Sequence, residues 1–438
     1  MGYIGRYIHH EYLGVNVNAV PYMMTIGGQQ FQNAYASIEV ALGCATSAAA
    51  CGAAIPSPLL ADKVTANPAY AAYFNALPQQ AFFTSALTPT YCSGNYPGAG
   101  GAAIANCTAA VASKQAGSFA SQSVWDLWSA LDTGGKTPGF NFAQTMLNTV
   151  GQASSGVAIN ASVGYGNYNA GFVSLKMNDW KGLTLQQNFT YSKALGTASL
   201  AQATSSFTPD DPYNLSEMYG PQTFDRKFVY NLFMVYQPAL YKGQSGMLGH
   251  VLGGWSFAPI FTAGSGAPTN CFDNSGQSQA FGAADGVGYG TAEQCIPTSN
   301  AGISNSVHTG VGGGTDSFGN SVATGTAGST RGTQLNLFAD PVKVWNEFRP
   351  PILGLDTRDG GTGSVRGLPY WNVDLSVKKN IKITERFNVQ FQLVVANLFN
   401  HVVFFDPTMD ITSPSTWGVL SAQGNTPRQM EFGLRFSF

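Results

Sequence analysis

The last nine residues of the chain show a regular alternation of apolar and polar positions. Met430, Phe432, Leu434, Phe436 and Phe438 alternate with polar or small residues. Successive side chains of a β-strand point to opposite faces, so this period of two predicts a strand with one apolar face. Similar alternation predicts seven further strands, the first of them the poorest, at about 3–16, 173–177, 183–191, 228–236, 255–261, 371–377 and 389–395.

The connectors between these eight segments alternate in length. The short or medium ones cover 178–182, 237–253 and 380–386, and the long ones cover 17–166, 194–224, 265–367 and 400–426. Outer-membrane barrels have short periplasmic turns and long extracellular loops. The pattern therefore predicts an all-β, antiparallel transmembrane barrel. Its eight strands would form either a small closed barrel or one part of a larger barrel. Its C-terminus would be periplasmic. A soluble β-sandwich remains the alternative, because alternation does not say whether the apolar face meets lipid or a core.

The long connectors carry their own local signals. Asn67 before Pro68 is typical of a helix start. Val124, Leu127, Trp128 and Leu131 follow Ser123 at helical spacing, which predicts a short amphipathic helix in the first long loop. A further helix is predicted over 142–150. The 265–367 loop is rich in Gly and Ser, above all over 301–332, and is expected to be extracellular.

Composition narrows the choice of class. The 438 residues include 21 Lys+Arg and 23 Asp+Glu, a net charge of −2. Nucleic-acid-binding domains usually show a basic stripe, so no nucleic-acid partner is expected. The sequence has no run of about 18 apolar residues, so no transmembrane helix is predicted. Mean hydropathy near zero still suits a membrane barrel, because only every second strand residue must be apolar.

The six cysteines form three pairs of sequence neighbours, all in loop sequence. Local even pairs in loops suggest disulfides formed in an oxidising compartment, although spacing alone does not fix the connectivity. No CxxC or zinc-finger spacing occurs, so no metal is expected. The pairs are Cys44 with Cys51, Cys92 with Cys107, and Cys271 with Cys295.

The sequence offers no recognisable catalytic constellation. The five histidines are scattered, and no Ser/His/Asp or HExxH arrangement is visible. The loop carboxylates near Asp211, Asp273 and Asp285 lack the calcium-loop pattern and are interpreted as turn residues. We therefore predict a protein that is not an enzyme and needs no cofactor.

Two sets of side chains fit a membrane barrel. Aromatic residues near predicted strand ends would suit the girdles at the lipid–water interfaces, with core packing as the alternative. Charged residues between the apolar positions would face the interior, either solvated or paired across strands. The girdle set is Tyr168, Tyr191, Tyr236, Trp255, Tyr370 and Trp371, and the interior set is Lys176, Asp374, Lys378, Glu431 and Arg435.

The chain end fits the signal read by the barrel assembly machinery. Glu431, Gly433, Phe436 and the terminal Phe438 supply the polar, glycine, apolar and terminal aromatic positions of that signal. The alternative is an ordinary amphipathic strand that happens to end in Phe.

Several motifs occur together and in order. They are Tyr168-Asn169-Ala170, Gly182-Leu183-Thr184, Tyr191-Ser192-Lys193-Ala194-Leu195, Asp211-Pro212-Tyr213-Asn214-Leu215, Phe224-Asp225-Arg226, Leu252-Gly253-Gly254-Trp255, Ser265-Gly266-Ala267-Pro268, Asn397-Leu398-Phe399-Asn400-His401 and Arg435-Phe436-Ser437-Phe438. As a set they resemble the C-terminal barrel of TonB-dependent receptors of the Oar-like kind, which carry a carboxypeptidase-regulatory-like domain and a plug before the barrel. The resemblance implies outer-membrane lipid as surroundings, an unknown extracellular ligand, and uptake by the intact form.

The departures from that family define the rival hypotheses. Plug, energy-coupling box and signal-peptide pattern are not recognisable, and eight strands compare with about 22 in the family. The chain is therefore interpreted as the last third of a receptor, with the TonB complex as partner only where the N-terminal part exists. The alternatives are an adhesin or structural barrel anchored in the outer membrane, and a secreted soluble β-protein.

Overall fold

The computed structural model confirms eight long strands. It describes residues 1–16, 20–51, 53, 55–56, 58, 66–132, 139–143, 145, 158–197, 211, 213–269, 271–273, 293–299, 303, 306–325, 334–357, 361–384 and 386–438. The strands are β1 Gly2–Asn16, β2 Ala158–Trp180, β3 Leu183–Gly196, β4 Phe228–Tyr236, β5 Trp255–Gly264, β6 Tyr370–Lys382, β7 Asn388–Ala396 and β8 Gln429–Ser437.

The eight strands form one antiparallel sheet in which every strand pairs with its neighbour in the chain. This up-and-down order confirms the predicted fold class. In the described part of the chain, β1 pairs only with β2 and β8 pairs only with β7, so the sheet is open at both edges.

The strand β2 is much longer than predicted. It begins at Ala158 and pairs with β1 along almost the whole length of that strand. The predicted loop boundary at residue 166 is therefore displaced. The alternation of apolar and polar residues is not visible in this part of β2, because glycines occupy positions where the neighbouring strand is very close. At Gly166, for example, a Cβ would lie 2.8 Å from the Leu195 carbonyl oxygen. In β1, a register shift near His10 (φ 61°) interrupts the period of two.

The connectors divide between the two ends of the sheet as predicted. Residues 181–182, 237–254 and 383–387 connect strands at the short-turn end, where the C-terminus also lies. The tightest of these turns needs glycine, because Gly182 has φ 85° and a Cβ there would collide with the carbonyl oxygen of Gln237. Residues 17–157, 197–227, 265–369 and 397–428 connect strands at the long-loop end.

Nine short helices lie in the described connectors, and all but one are at the long-loop end. The two predicted helix starts are confirmed, since Asn67 and Ser123 cap their helices through side-chain oxygens. Most of the predicted 142–150 helix lies outside the described residues. The helices are α1 Phe31–Ala41, α2 Pro68–Asn75, α3 Ala81–Ala86, α4 Pro89–Cys92, α5 Cys107–Lys114, α6 Ala116–Ala120, α7 Val124–Leu131, α8 Gly246–Leu252 and α9 Pro341–Asn346.

Small ladders complete the secondary structure. Two-residue strands pair Thr25–Ile26 with Gln29–Gln30, Pro268–Thr269 with Val365–Arg366, Phe272–Asp273 with Glu293–Gln294, Ile296–Pro297 with Phe348–Arg349, His308–Thr309 with Leu335–Asn336, and Gly314–Thr315 with Ser321–Val322; Gly220–Pro221 joins the end of β3, and Pro414–Thr416 is a 3-10 turn. None of the described helices is both long and apolar enough to cross a membrane.

The buried cores lie in the long loops, and the sheet itself encloses none of comparable size. The first core joins α1 to α7 around Trp128, whose ring centroid lies 4.8 Å from that of Phe31 and 4.7 Å from that of Phe140. The second core is built around Trp417 and Phe348 from single residues of the third and fourth long connectors, among them Cys271, Leu337 and Met409. Ile352 and Leu353 belong to the first core, so the long loops pack together as one loop assembly.

Candidate functional site

The strand register gives the sheet one continuous apolar face. Residues directly opposite each other in antiparallel strands point to the same side. On the two C-terminal strands this aligns Phe432 with Leu393 and Leu434 with Phe391, and it continues through Val377 and Phe257. Many of these side chains are exposed. They include Val173, Leu175, Phe189, Tyr191, Phe228, Tyr236, Trp371, Met430, Phe432, Leu434 and Phe436.

Four of the six predicted girdle aromatics lie on this apolar face. Tyr191 and Trp371 lie toward the long-loop end, and Tyr236 and Trp255 lie at the short-turn end. The aromatic residues thus mark two levels along the strands, one toward each end of the sheet. On β4 these levels are eight residues apart, from Phe228, which lies opposite Tyr191, to Tyr236. On β6 they are also eight residues apart, from Trp371 to Lys379, which lies opposite Trp255. Eight residues span about 26 Å along a strand. A strand tilt of about 35–45° reduces the height between the two levels to about 20 Å, which fits within the apolar band of about 25 Å in membrane barrels.

The other two predicted girdle residues lie on the opposite face. Tyr168 is aligned with Arg6 and Ala194, and Tyr370 is aligned with Gly264. The Tyr370 ring lies 5.8 Å below the Arg226 guanidinium carbon, close to the loop assembly. Aromatic identity near a strand end does not reveal the face, because one residue of offset reverses it.

The opposite face is polar, and the five charged residues predicted to face the interior all lie on it. Asp374 accepts hydrogen bonds from the Asn372 side chain and the Asn397 amide, both at 2.8 Å. Between described residues, none of the five forms an ion pair. Lys176, Glu431 and Arg435 lie at free edges of the sheet, so cross-strand pairing there stays a prediction. At the short-turn end this face borders a cleft of about 870 Å³ lined by Lys242, Lys378 and Lys382 among others.

The predicted assembly signal is at the free edge of the sheet. Glu431 and Gly433 lie on the polar face of β8, and Phe436 lies on the apolar face. Phe438 follows the strand and is 99% exposed. The side chains are thus free to contact another protein, although their recognition by the assembly machinery stays a prediction.

The loop assembly is cross-linked at three places. Disulfides join Cys44 to Cys51, Cys92 to Cys107 and Cys271 to Cys295, the sequence-local pairs expected from the spacing. The first two disulfides cross-link segments of the first core, and the third lies in the second core. Closing a 15-residue loop, as Cys92 and Cys107 do, removes about 3 kcal/mol of chain entropy from the unfolded state in the simple loop model.

Buried polar contacts tie the loop assembly to the end of the sheet. Asp225 is 1% exposed, accepts a 2.6 Å hydrogen bond from the Ala194 amide on β3, and pairs with Arg366, 141 residues later. Tyr22 donates to Asp211 at 2.7 Å. Burial and this hydrogen bond raise the pKa of Tyr22, and burial raises the pKa of Asp211. The Asp225 contacts therefore hold two long loops at the end of β3, and the Tyr22–Asp211 contact joins the first long loop to the second.

A family model, described as an outer membrane beta barrel domain, matches residues 2–431. The chain belongs to the outer membrane β-barrel family. This places it in the outer membrane of a Gram-negative bacterium, so the apolar face is the lipid-facing side of the sheet. No curated protein gives a significant sequence match.

Two solved receptors show weak structural similarity to this barrel chain. They are the ferric-catecholate import receptor Fiu from E. coli K12 (10% identity, TM-score 0.26, 65% of this chain and 22% of that chain) and the outer membrane transporter YddB from Escherichia coli (8%, 0.28, 63% and 26%). The aligned part thus spans about a quarter of each receptor.

One buried acid of the loop assembly was not predicted from the sequence. Glu39 on α1 is fully buried, and one of its carboxyl oxygens lies within 4.8 Å of the sulfurs of Cys44 and Cys51. These sulfurs are bonded to each other, so they are not thiolate ligands for a metal. Desolvation raises the pKa of Glu39 to about 8, and the nearby Tyr35 hydroxyl opposes the rise only in part.

We expect Glu39→Gln to flatten the pH dependence of loop stability. The folded-state pKa is raised above the unfolded value, so the stabilising contribution is complete below about pH 4.5 and is lost as pH rises through about 8. The full change is on the order of 5 kcal/mol. Thermal unfolding of the full chain, followed by near-ultraviolet circular dichroism from pH 4 to 9, measures it. An unchanged pH slope in the variant would contradict the assignment.

Proposed function

We propose that this chain forms the C-terminal part of the barrel of a TonB-dependent receptor, and that its loop assembly captures an extracellular ligand for uptake. The observation that carries the proposal is a continuous polar sheet face with a structured loop assembly at one end only. Such a face suits the lining of a passage, because interior-facing barrel residues are polar. The ordered set of receptor motifs supports the TonB-dependent type over other barrels.

Open sheet edges support a larger assembly. Unpaired N–H and C=O groups are very costly in hydrocarbon, so spanning sheets close on themselves. One free edge is formed by β1 together with residues 173–180 of β2, which extend beyond β1, and the other is formed by β8. Further strands inserted between these edges would satisfy their backbone groups. In this arrangement the short-turn end and the C-terminus are periplasmic, and the loop assembly is extracellular. The function is binding and transport, not catalysis.

A surface anchor is the second candidate. The compact, disulfide-bonded loop assembly has two buried cores of its own, and such a structured surface would suit an adhesin. In that case the strands serve only to hold the loops at the surface.

The native size of the protein distinguishes the two candidates. An antibody against residues 429–438 would be used on outer-membrane and soluble fractions. Because eight strands are about a third of a 22-stranded barrel, we expect a membrane band well above the 46.1 kDa of this chain. A membrane band at 46.1 kDa would favour the anchor, and a band confined to the soluble fraction would refute both.

An epitope inserted into either type of connector tests the orientation. We expect intact cells to bind antibody when the epitope is at Gly319 in the long loop, and not when it is at Thr384 in a short turn. Labelling at the turn in intact cells would reverse the proposed orientation.

A further inference from the structure

The helix α8 presents an apolar surface that no described part of the chain covers. Met247, Leu248, Val251 and Leu252 are 86%, 64%, 56% and 44% exposed. Their spacing of i, i+1, i+4 and i+5 places them on one side of the helix. The opposite side of the helix packs closely against the protein. Glycine at position 249 allows this contact, because a Cβ there would lie 2.7 Å from the backbone of Gln244. Solvent is an unfavourable environment for such a surface.

The C-terminal end of α8 is attached to the lipid-facing side of the sheet. Trp255 Nε1 donates to the Val251 carbonyl oxygen at 2.9 Å. Lys379 Nζ donates to the carbonyl oxygens of Val251, at 3.2 Å, and Gly253. The register aligns Lys379 with Trp255 on the apolar face. Its cation is buried, lies 5.1 Å from the Trp255 ring, and satisfies the helix carbonyls.

The position of the helix indicates what covers its apolar side. α8 connects β4 to β5 at the short-turn end, level with the Tyr236 and Trp255 girdle. Its exposed apolar side therefore continues the lipid-facing surface at the depth where hydrocarbon gives way to headgroups. Basic residues in the short-turn region, among them Lys181, Lys242, Lys382 and Arg386, complement anionic phosphate groups there.

We propose that α8 is an interfacial membrane helix that lies in the phospholipid headgroup boundary at the short-turn end, with Met247, Leu248, Val251 and Leu252 inserted toward the acyl chains. Amphipathic helices with one apolar side bind bilayers in this manner. Lys379 and Trp255 act as positioning residues that fix the helix at this depth. The inference rests on membership of the outer-membrane barrel family and on the proposed periplasmic position of the short-turn end, and it does not depend on transport.

Spin labels on single added cysteines test the proposal. The full chain in outer-membrane vesicles would carry the label through Met247→Cys, His250→Cys or Leu375→Cys, with the native disulfides kept oxidised. His250 is the matched control, because it lies on another side of the same helix, and Leu375 reports the lipid-facing sheet. Collision rates with lipid-soluble oxygen and a water-soluble nickel chelate are measured at each label.

We expect the oxygen-to-nickel accessibility ratio at Met247 to be several-fold higher than at His250 and to approach the ratio at Leu375. Adding Lys379→Met to the Met247→Cys chain is expected to lower that ratio at Met247. Equal nickel access at Met247 and His250 would overturn the proposal, since the helix would then lie in water. Low access to both reagents at Met247 would also overturn it, because a protein surface or a second copy would then cover the helix.

Discussion

Replacing Leu375 by arginine is expected to destabilise the folded sheet by about 2–4 kcal/mol, whereas the same replacement at Ser376 is expected to cost little. Leu375 is on the apolar face, four residues from Trp371 and four from Lys379, and so lies midway between the two girdle levels. A cation at the bilayer midplane on the lipid-facing side costs about 2–4 kcal/mol. Ser376 faces the polar side, where lysine and glutamate neighbours already occur.

The comparison tests only which face of the sheet each residue occupies, because Leu375 and Ser376 are adjacent on one strand and receive the same side chain. Urea unfolding of the full-length protein in lipid vesicles, followed by tryptophan fluorescence, gives the free-energy difference. Leu375→Met controls for loss of shape, since a volume-conserving apolar exchange costs less than about 1.5 kcal/mol. Equal losses at Leu375 and Ser376 would contradict the assignment of the faces, and a larger loss at Ser376 would reverse it.

The period of two was sufficient to predict the sheet where residues alternate cleanly, as in β8 and β3. It failed in the first half of β2, where the need for close strand approach selects glycine and asparagine in place of apolar residues. The strand register determined which of the predicted girdle residues lie on the apolar face. Tyr168 and Tyr370 have the right chemistry but lie on the polar face. Only pairing with neighbouring strands reveals the face of a residue near a strand end.

The loop assembly was predictable only in its local features. The caps at Asn67 and Ser123 and the three cysteine pairs are short-range signals. The contact between Asp225 and Arg366 joins positions 141 residues apart, and no spacing rule connects them. The helix α8 had a visible signal in Met247, Leu248, Val251 and Leu252, but its glycines and its shortness concealed it within a connector.

Removing either partner of the Asp225–Arg366 pair is expected to cost about 3–5 kcal/mol, because the remaining charge would stay buried without compensation. Asp225→Ala also leaves the Ala194 amide without its acceptor, and Arg366→Ala also removes a 3.3 Å donor to the Gly266 carbonyl oxygen. Thermal unfolding of the full chain measures each loss, and limited proteolysis reports whether the loops at 197–227 and 265–369 become accessible.

The double variant Asp225→Asn/Arg366→Met gives the decisive comparison. It removes both charges together and keeps similar side-chain volumes, so its cost is expected to be well below the sum of the two single losses. Single losses under about 1 kcal/mol would mean that the pair behaves as an exposed ion pair and does not hold the loops. If the pair does hold the loops, their cleavage by protease should speed up in the single variants and slow again in part in the double variant, because the junction is then neutral and no buried charge is left unpaired.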